Sequence, residues 1–229
     1  CVKRFHKDGW NVITCSRNTK TWLGNLQLFP ELCNVDYVET DVSDDDSLNR
    51  LFEYIGYKYN YLNAAVNNAS PKIISQGEFR GVPTENLFST LKSDFWSYVV
   101  CLQKELNLMG SGSCIVNVSS VNGLRPCAGA AMYSAAKHGL EGLTRSVALE
   151  AIQNGIRVNA VAPGVTWTSR WEEREHSNPN IRKEVETEIP IKRFAVESEI
   201  VNAIEWLCNA KSSYVVGHTL VVDGGLSLN

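Results

Sequence analysis

The run Cys114-Ile115-Val116-Asn117-Val118-Ser119-Ser120, followed by Tyr133-Ser134-Ala135-Ala136-Lys137 thirteen residues after Ser120, decides how this chain folds. The first run is short, apolar and rich in β-branched residues, as expected of a parallel strand covered on both faces. The second opens an Ala-rich stretch, Tyr133–Gln153, with Leu140, Leu143, Val147 and Ile152 at helical spacing and Gly155 as its stop. The same alternation extends in both directions. Val12–Cys15, Val35–Glu39, Leu62–Val66, Arg157–Ala162 and Thr219–Val222 read as further strands. Asp44–Tyr57, Thr84–Met109 and Glu197–Asn209 read as further helices, the first behind an Asp/Ser-rich entry suited to capping. Strand-helix alternation implies a parallel sheet with right-handed crossovers, the doubly wound α/β architecture, and 229 residues suffice for one such domain.

Composition narrows the function. A hydrophobic share of 44% and a charged share of 21% belong to an ordinary globular protein. A net charge of −3 supplies no basic field for nucleic acid or an anionic membrane, and no apolar run approaches the length of a membrane span. The start at Cys1 does not read as a signal peptide. Seven cysteines, singly spaced and without a CxxC pair, argue against a disulfide framework and a zinc site. They read as buried, reduced thiols of a cytoplasmic protein.

In a doubly wound sheet, ligands meet the carboxyl ends of the strands. Ser16-Arg17, Asn67-Asn68-Ala69-Ser70, Ser119-Ser120 and Pro163-Gly164 all fall at such ends. Tyr133 and Lys137, four residues apart, share one helix face. A phenol with a reference pKa near 10 is a poor base at neutral pH, and a neighbouring ammonium favours the phenolate. A Tyr-xxx-Lys pair alone is ordinarily only helix surface; its place after a strand ending in Ser119-Ser120 gives it weight.

With these motifs in order, the chain resembles the short-chain dehydrogenase/reductase family, and within it members of the 3-oxoacyl-reductase kind, over nearly its whole length. The matching segments are Asp41-Val42, Asn67-Asn68-Ala69, Ile115 to Ser120, Tyr133 to Lys137, Arg157-Val158-Asn159-Ala160-Val161-Ala162-Pro163-Gly164 and Val222-Asp223-Gly224-Gly225. The resemblance implies a nicotinamide cofactor and a small-molecule alcohol or carbonyl substrate, free or borne on an acyl carrier. It implies that Tyr133 exchanges a proton with the substrate oxygen and that Ser120 hydrogen-bonds that oxygen. Lys137 would hold the nicotinamide ribose and lower the tyrosine pKa. Asp41 and Val42 would meet the adenine, Asn68 and Ala69 the adenosine ribose region. Pro163, Gly164, Thr166 and Thr168 would line the nicotinamide side. It further implies a homo-oligomer, a tetramer, with the small residues Ala135, Ala136, Gly139, Gly142 and Ala148 either admitting a partner helix or packing on the chain's own sheet.

NAD-binding sheets place an acid after the second strand to receive the ribose 2′-hydroxyl. Ser16 occupies that place, and Arg17 can pair with a 2′-phosphate, so NADP is expected, with NAD as the alternative. Two departures from the family stand out. Asp94 falls where an Asn helps hold a proton-relay water, and is either a fourth catalytic group or surface. Ser70 replaces the Gly that usually ends Asn-Asn-Ala-Gly, which costs backbone freedom if φ is positive there. The charged stretch from Trp167 to Ile189 corresponds to the family's mobile lid over the substrate.

The family begins with a strand and a TGxxxGxG loop that receives the pyrophosphate. No such Gly-rich loop occurs in this sequence, and Cys1 falls inside what reads as the following helix. The expectation is that a central strand, with roughly twenty residues in all, belongs between Val12–Cys15 and Leu62–Val66. Two functions are compatible with the sequence: an NADP-dependent alcohol/ketone oxidoreductase, favoured by the intact Ser-Tyr-Lys set, or a cofactor-binding sensor or scaffold.

Overall fold

The computed structural model describes residues 1–228. Helix α1 (Val2–Lys7) leads into β1 (Ile13–Ser16), α2 (Thr19–Leu28), β2 (Asp36–Glu39) and α3 (Asp45–Tyr59). After β3 (Ala64–Asn67), α4 (Thr84–Leu91) and α5 (Ser97–Leu106) are joined by a π-helical turn, Lys92–Trp96. Then come β4 (Cys114–Val118), α6 (Ala131–Ala151), β5 (Arg157–Pro163), α7 (Ser169–Ser177), α8 (Ile181–Glu188), α9 (Glu197–Cys208) and β6 (Thr219–Val222).

All strand pairings are parallel, as the alternation of elements requires. β1 pairs with β2, and the other four run in the order β3-β4-β5-β6. The ladder is interrupted between β1 and β3, which share no hydrogen bonds, at the place where sequence reading puts a further strand. Six expected strands are found, displaced by at most two residues at either end.

The core explains the apolar runs. Val116, Val118 and Val161 pack with Ile200, Ile204 and Leu207 of α9 on one face of the sheet. Ile115 and Val158 pack with Leu102, Ala148 and Ala151 on the other. Neighbouring residues of β4 therefore feed opposite layers, and each fully buried Val or Ile side chain stabilises the fold by about 1.5–3 kcal/mol. The polar residues in the sheet are paired. Asn67 donates to Asn117 Oδ1 at 3.1 Å, and Asn117 donates to Thr144 at 3.0 Å, linking β3, β4 and α6.

Helix entries follow local chemistry. Asp44 caps α3 by accepting from the Ser47 N–H, and Asn60, at φ 55°, closes it in the left-handed region. Asn18 caps α2 likewise. Sequence reading misses α2 because it buries none of its residues, so no apolar stripe marks it. The single helix expected over Thr84–Met109 runs from Thr84 to Leu106, with a π-helical turn at Lys92–Trp96 dividing it into α4 and α5. Hydroxyl groups compete for the backbone at the junction: Ser93 donates to Thr90 O and Ser97 to Ser93 O.

The small residues of α6 divide between the two expected uses. Ala136 and Ala148 are buried in the chain's own core, and Gly139 faces Phe95, leaving Ala135 exposed and Gly142 open. All seven cysteines are free, but only Cys101 and Cys114 are buried; Cys1 and Cys33 are exposed, contrary to expectation. Cys1 leads a short terminal helix and Cys33 sits in a surface turn, where no layer covers them.

Candidate active site

A cavity of about 690 Å³ opens along the carboxyl ends of the strands. Ser16 and Arg17 follow β1, Asp41 and Val42 follow β2, and Asn68 and Ala69 follow β3. Ser120 follows β4, with Pro163, Gly164, Thr166 and Thr168 at the end of β5 and Tyr133 and Lys137 descending on α6. Of the fourteen residues singled out in the sequence, all but Asp94 line this one cavity.

Close approach at β5 depends on glycine. A Cβ on Gly164 would stand 2.7 Å from Asp223 Cα, so any side chain there would force the Val222-Asp223-Gly224-Gly225 turn away. Ser120 is extended at φ −165°, and its Oγ accepts from the Asn122 N–H at 3.1 Å, which turns the hydroxyl into the cavity mouth.

Lys137 is 1% exposed. Its Nζ donates to Tyr98 Oη and to Val118 O, each at 3.1 Å, and lies 3.9 Å from Asp94 Oδ1. Burial lowers its pKa to about 8, with the charges of Asp94 and Glu141 acting in the opposite sense. Asp94, also 1% exposed, sits behind the cavity wall in the π-helical turn and reaches the site through Lys137. Its Oδ1 accepts from Ser70 Oγ at 2.6 Å and its Oδ2 from Ser93 Oγ at 3.0 Å.

Tyr133 departs from expectation. Its pKa is pushed up to about 12, by loss of solvent first and then by the Asp94 charge. A hydrogen bond with Ser120 and the Arg170 guanidinium pull it the other way. Lys137 directs its protons at Tyr98 and Val118, with Nζ 5.7 Å from the Tyr133 ring centre.

At the far end of the cavity, Arg17 is exposed and faces Asp41. Burial tends to raise the Asp41 carboxyl, but the Ser43 hydrogen bonds and the charges of Arg17 and Lys92 hold it below the usual range. The Ser16 hydroxyl is 3.1 Å from Tyr37 Oη. Glu39, overlooked in the sequence, is the register partner of Ser16, so a carboxylate does stand nearby. It is turned onto the N–H and hydroxyl of Thr19, at the start of α2.

Sequence reading also missed Arg170, whose guanidinium donates to the Ser70 carbonyl across the cavity, and Glu105, buried beneath β3. Arg170 lay unmarked within a charged run; Glu105 stood at an ordinary helical position with no motif around it. Burial pushes the Glu105 carboxyl up to about 7, and its one partner is Asn67, at 3.0 Å. Ser70 was noted only as a departure. It carries no backbone strain, since the non-glycine residues at positive φ are Asn60 and Lys192.

Known proteins resemble this chain in sequence and fold. A family model described as Enoyl-(Acyl carrier protein) reductase matches residues 1–227. An A-factor type gamma-butyrolactone 1'-reductase of Streptomyces virginiae is 32% identical, with 98% of this chain and 88% of that protein covered. Carbonyl reductase family member 4 of Danio rerio is also 32% identical, covering 99% and 91%. Among solved structures, ElxO with NADP bound superposes with a TM-score of 0.91 at 26% identity, covering 99% of this chain and 92% of that one. The chain belongs to the short-chain dehydrogenase/reductase family of NAD(P)-dependent oxidoreductases, which act on CH–OH and carbonyl groups.

Proposed function

We propose that this protein is an NADP-dependent oxidoreductase interconverting a small-molecule alcohol and its ketone, with Tyr133 moving the proton. The observation that carries the reading is the single cavity that gathers Ser120, Tyr133 and Lys137 with the expected nucleotide-binding residues. Its donor set suits a dinucleotide: Arg17 for a 2′-phosphate, Asp41 and Val42 for adenine, Asn68 and Ala69 for the ribose region, and Lys137, Pro163, Gly164, Thr166 and Thr168 for the nicotinamide end. When bound, the cofactor supplies or accepts the hydride.

In reduction, Ser120 Oγ donates a hydrogen bond to the carbonyl oxygen and holds it against Tyr133. The Tyr133 Oη proton passes to that oxygen as negative charge develops on it, leaving a phenolate that recovers its proton from solvent. In oxidation the same phenolate removes the alcohol proton. Lys137 places an ammonium beside the reacting centre, and Asp94 balances that charge from behind as a positioning residue. Segment 167–189 closes the site as a lid. Trp167 and Trp171 pack edge-on against Phe194, at 5.0 and 5.1 Å, which anchors its first turn.

The test is oxidation of NADPH and NADH against ketones, quinones and β-ketoacyl thioesters, with Tyr133→Phe beside the wild type. The variant is expected to lose about 10²–10⁴ in turnover while cofactor affinity stays within a few-fold. A Tyr133→Phe enzyme with most of its activity would overturn the role; dinucleotide binding without turnover on any substrate would favour a sensor or scaffold.

The same reading makes the protein a cytoplasmic homotetramer that binds neither nucleic acid nor membrane. Phe88, Trp96 and Leu149 are exposed on three mutually packed elements, and none of the described helices is long and apolar enough to cross a membrane. Light scattering at micromolar concentration should return four chains; a monomer refutes the assembly.

A further inference from the structure

Ser70 touches two charges that act on Tyr133 in opposite directions. Its hydroxyl donates to Asp94 Oδ1 at 2.6 Å, and its backbone carbonyl accepts from Arg170 in the lid. The buried carboxylate disfavours ionisation of the phenol, and the guanidinium favours it. Tyr133 is otherwise faced by Lys137 on its own helix, by Ser120, and by Tyr98 on α5. Asp94 is held by Ser70 and Ser93 hydroxyls on its two oxygens, with the Lys137 ammonium 3.9 Å away. A hydroxyl bond to a buried charge is among the stronger polar contacts, and removing it leaves the charge under-solvated. Backbone geometry does not demand the residue, because Ser70 is not at positive φ.

We propose that Ser70 is a positioning residue, fixing Asp94 behind Lys137 with its side chain and the cavity-lining Arg170 with its main chain, so that lid position and proton transfer are tied through one residue. This rests on Tyr133 being the proton group.

The signature is a set of opposed shifts. Carbonyl reduction needs the phenol, so the rate falls as pH rises through the Tyr133 pKa. Asp94→Asn should bring that limb down from the alkaline extreme toward the range an assay reads, and Arg170→Gln should leave it above that range. Ser70→Ala should follow Asp94→Asn: without the hydroxyl the carboxylate either takes up a proton or swings onto Lys137, and both weaken its field at Tyr133. Turnover in Ser70→Ala should fall about tenfold with KM within about twofold, and added to Asp94→Asn it should cost less than about twofold. Ser70→Thr, which keeps the hydroxyl, should restore most of the rate.

A melting cycle on the same four proteins, without substrate, gives a readout independent of turnover. Ser70→Ala should lower Tm in the wild-type background and leave it unchanged in Asp94→Asn. An unmoved pH limb in Ser70→Ala, or additive losses in both cycles, overturns the proposal. If no carbonyl compound is turned over by the wild type, the proposed function fails, while the melting cycle still decides whether Ser70 fixes Asp94.

Discussion

The two ends of the cavity are built from unlike material. β4 is buried along its whole length and β5 along all but its last residue, and Lys137 and Asp94, from α6 and the π-helical turn, are each 1% exposed. β1 and β2 contain no buried residue at all, and Arg17 beyond them stands in solvent. Burial at the first end makes every polar group costly unless partnered, so positions there are set by hydrogen bonds. At the second end solvent screens charge, and recognition depends on long, adaptable side chains. The end around Lys137 should therefore be sensitive to substitution, whereas the end around Arg17 should accept changes at small cost in stability.

The largest contrast should appear in stability. Ile115→Ala in β4 removes a fully buried side chain and should cost about 2–5 kcal/mol, whereas Val38→Ala in half-buried β2 should cost about 1 kcal/mol. Urea unfolding of the two variants measures the difference. Equal losses would mean that the two halves of the sheet are not distinguished by burial.

A second effect lies beneath β3. Because the Glu105 pKa rises from 4.5 to about 7 in the fold, the native state binds its proton more tightly than the unfolded chain does across that window. The contribution of Glu105 is therefore fully present below pH 4.5 and lost as pH rises to 7. Glu105→Gln, which keeps the shape and cannot ionise, should match the wild type near pH 4.5 and exceed it by about 3 kcal/mol above pH 7. A stability difference independent of pH would show that the carboxyl is not held neutral.

The smallest effect belongs to the exposed end. Arg17→Asp should lower the preference for NADPH over NADH by about tenfold, since a 2′-phosphate would meet a carboxylate, and leave thermal stability unchanged. Dissociation constants for the two dinucleotides read this directly, and an unaltered ratio would remove Arg17 from the site.

How much was legible in the sequence follows the same division. The strands of the buried half announced themselves through short, mostly apolar runs, and Tyr133 and Lys137 through a fixed interval from Ser120, because periodicity and spacing are local properties of the chain. α2 went unread since a helix that buries nothing leaves no stripe, and the π-helical turn within Thr84–Met109 went unread since no single hydroxyl forecasts one. Residue chemistry by itself determined the doubly wound class and the family, and it singled out Tyr133 as the candidate for proton transfer. Only the tertiary structure decided that burial and the Asp94 charge push the Tyr133 pKa up, that Glu39 is turned onto Thr19, and that Ser70 joins Asp94 to Arg170. Each of those outcomes depends on which groups lose water and which charges come within a few ångströms. Segments from position 39 to position 170 must be brought together before either question has an answer.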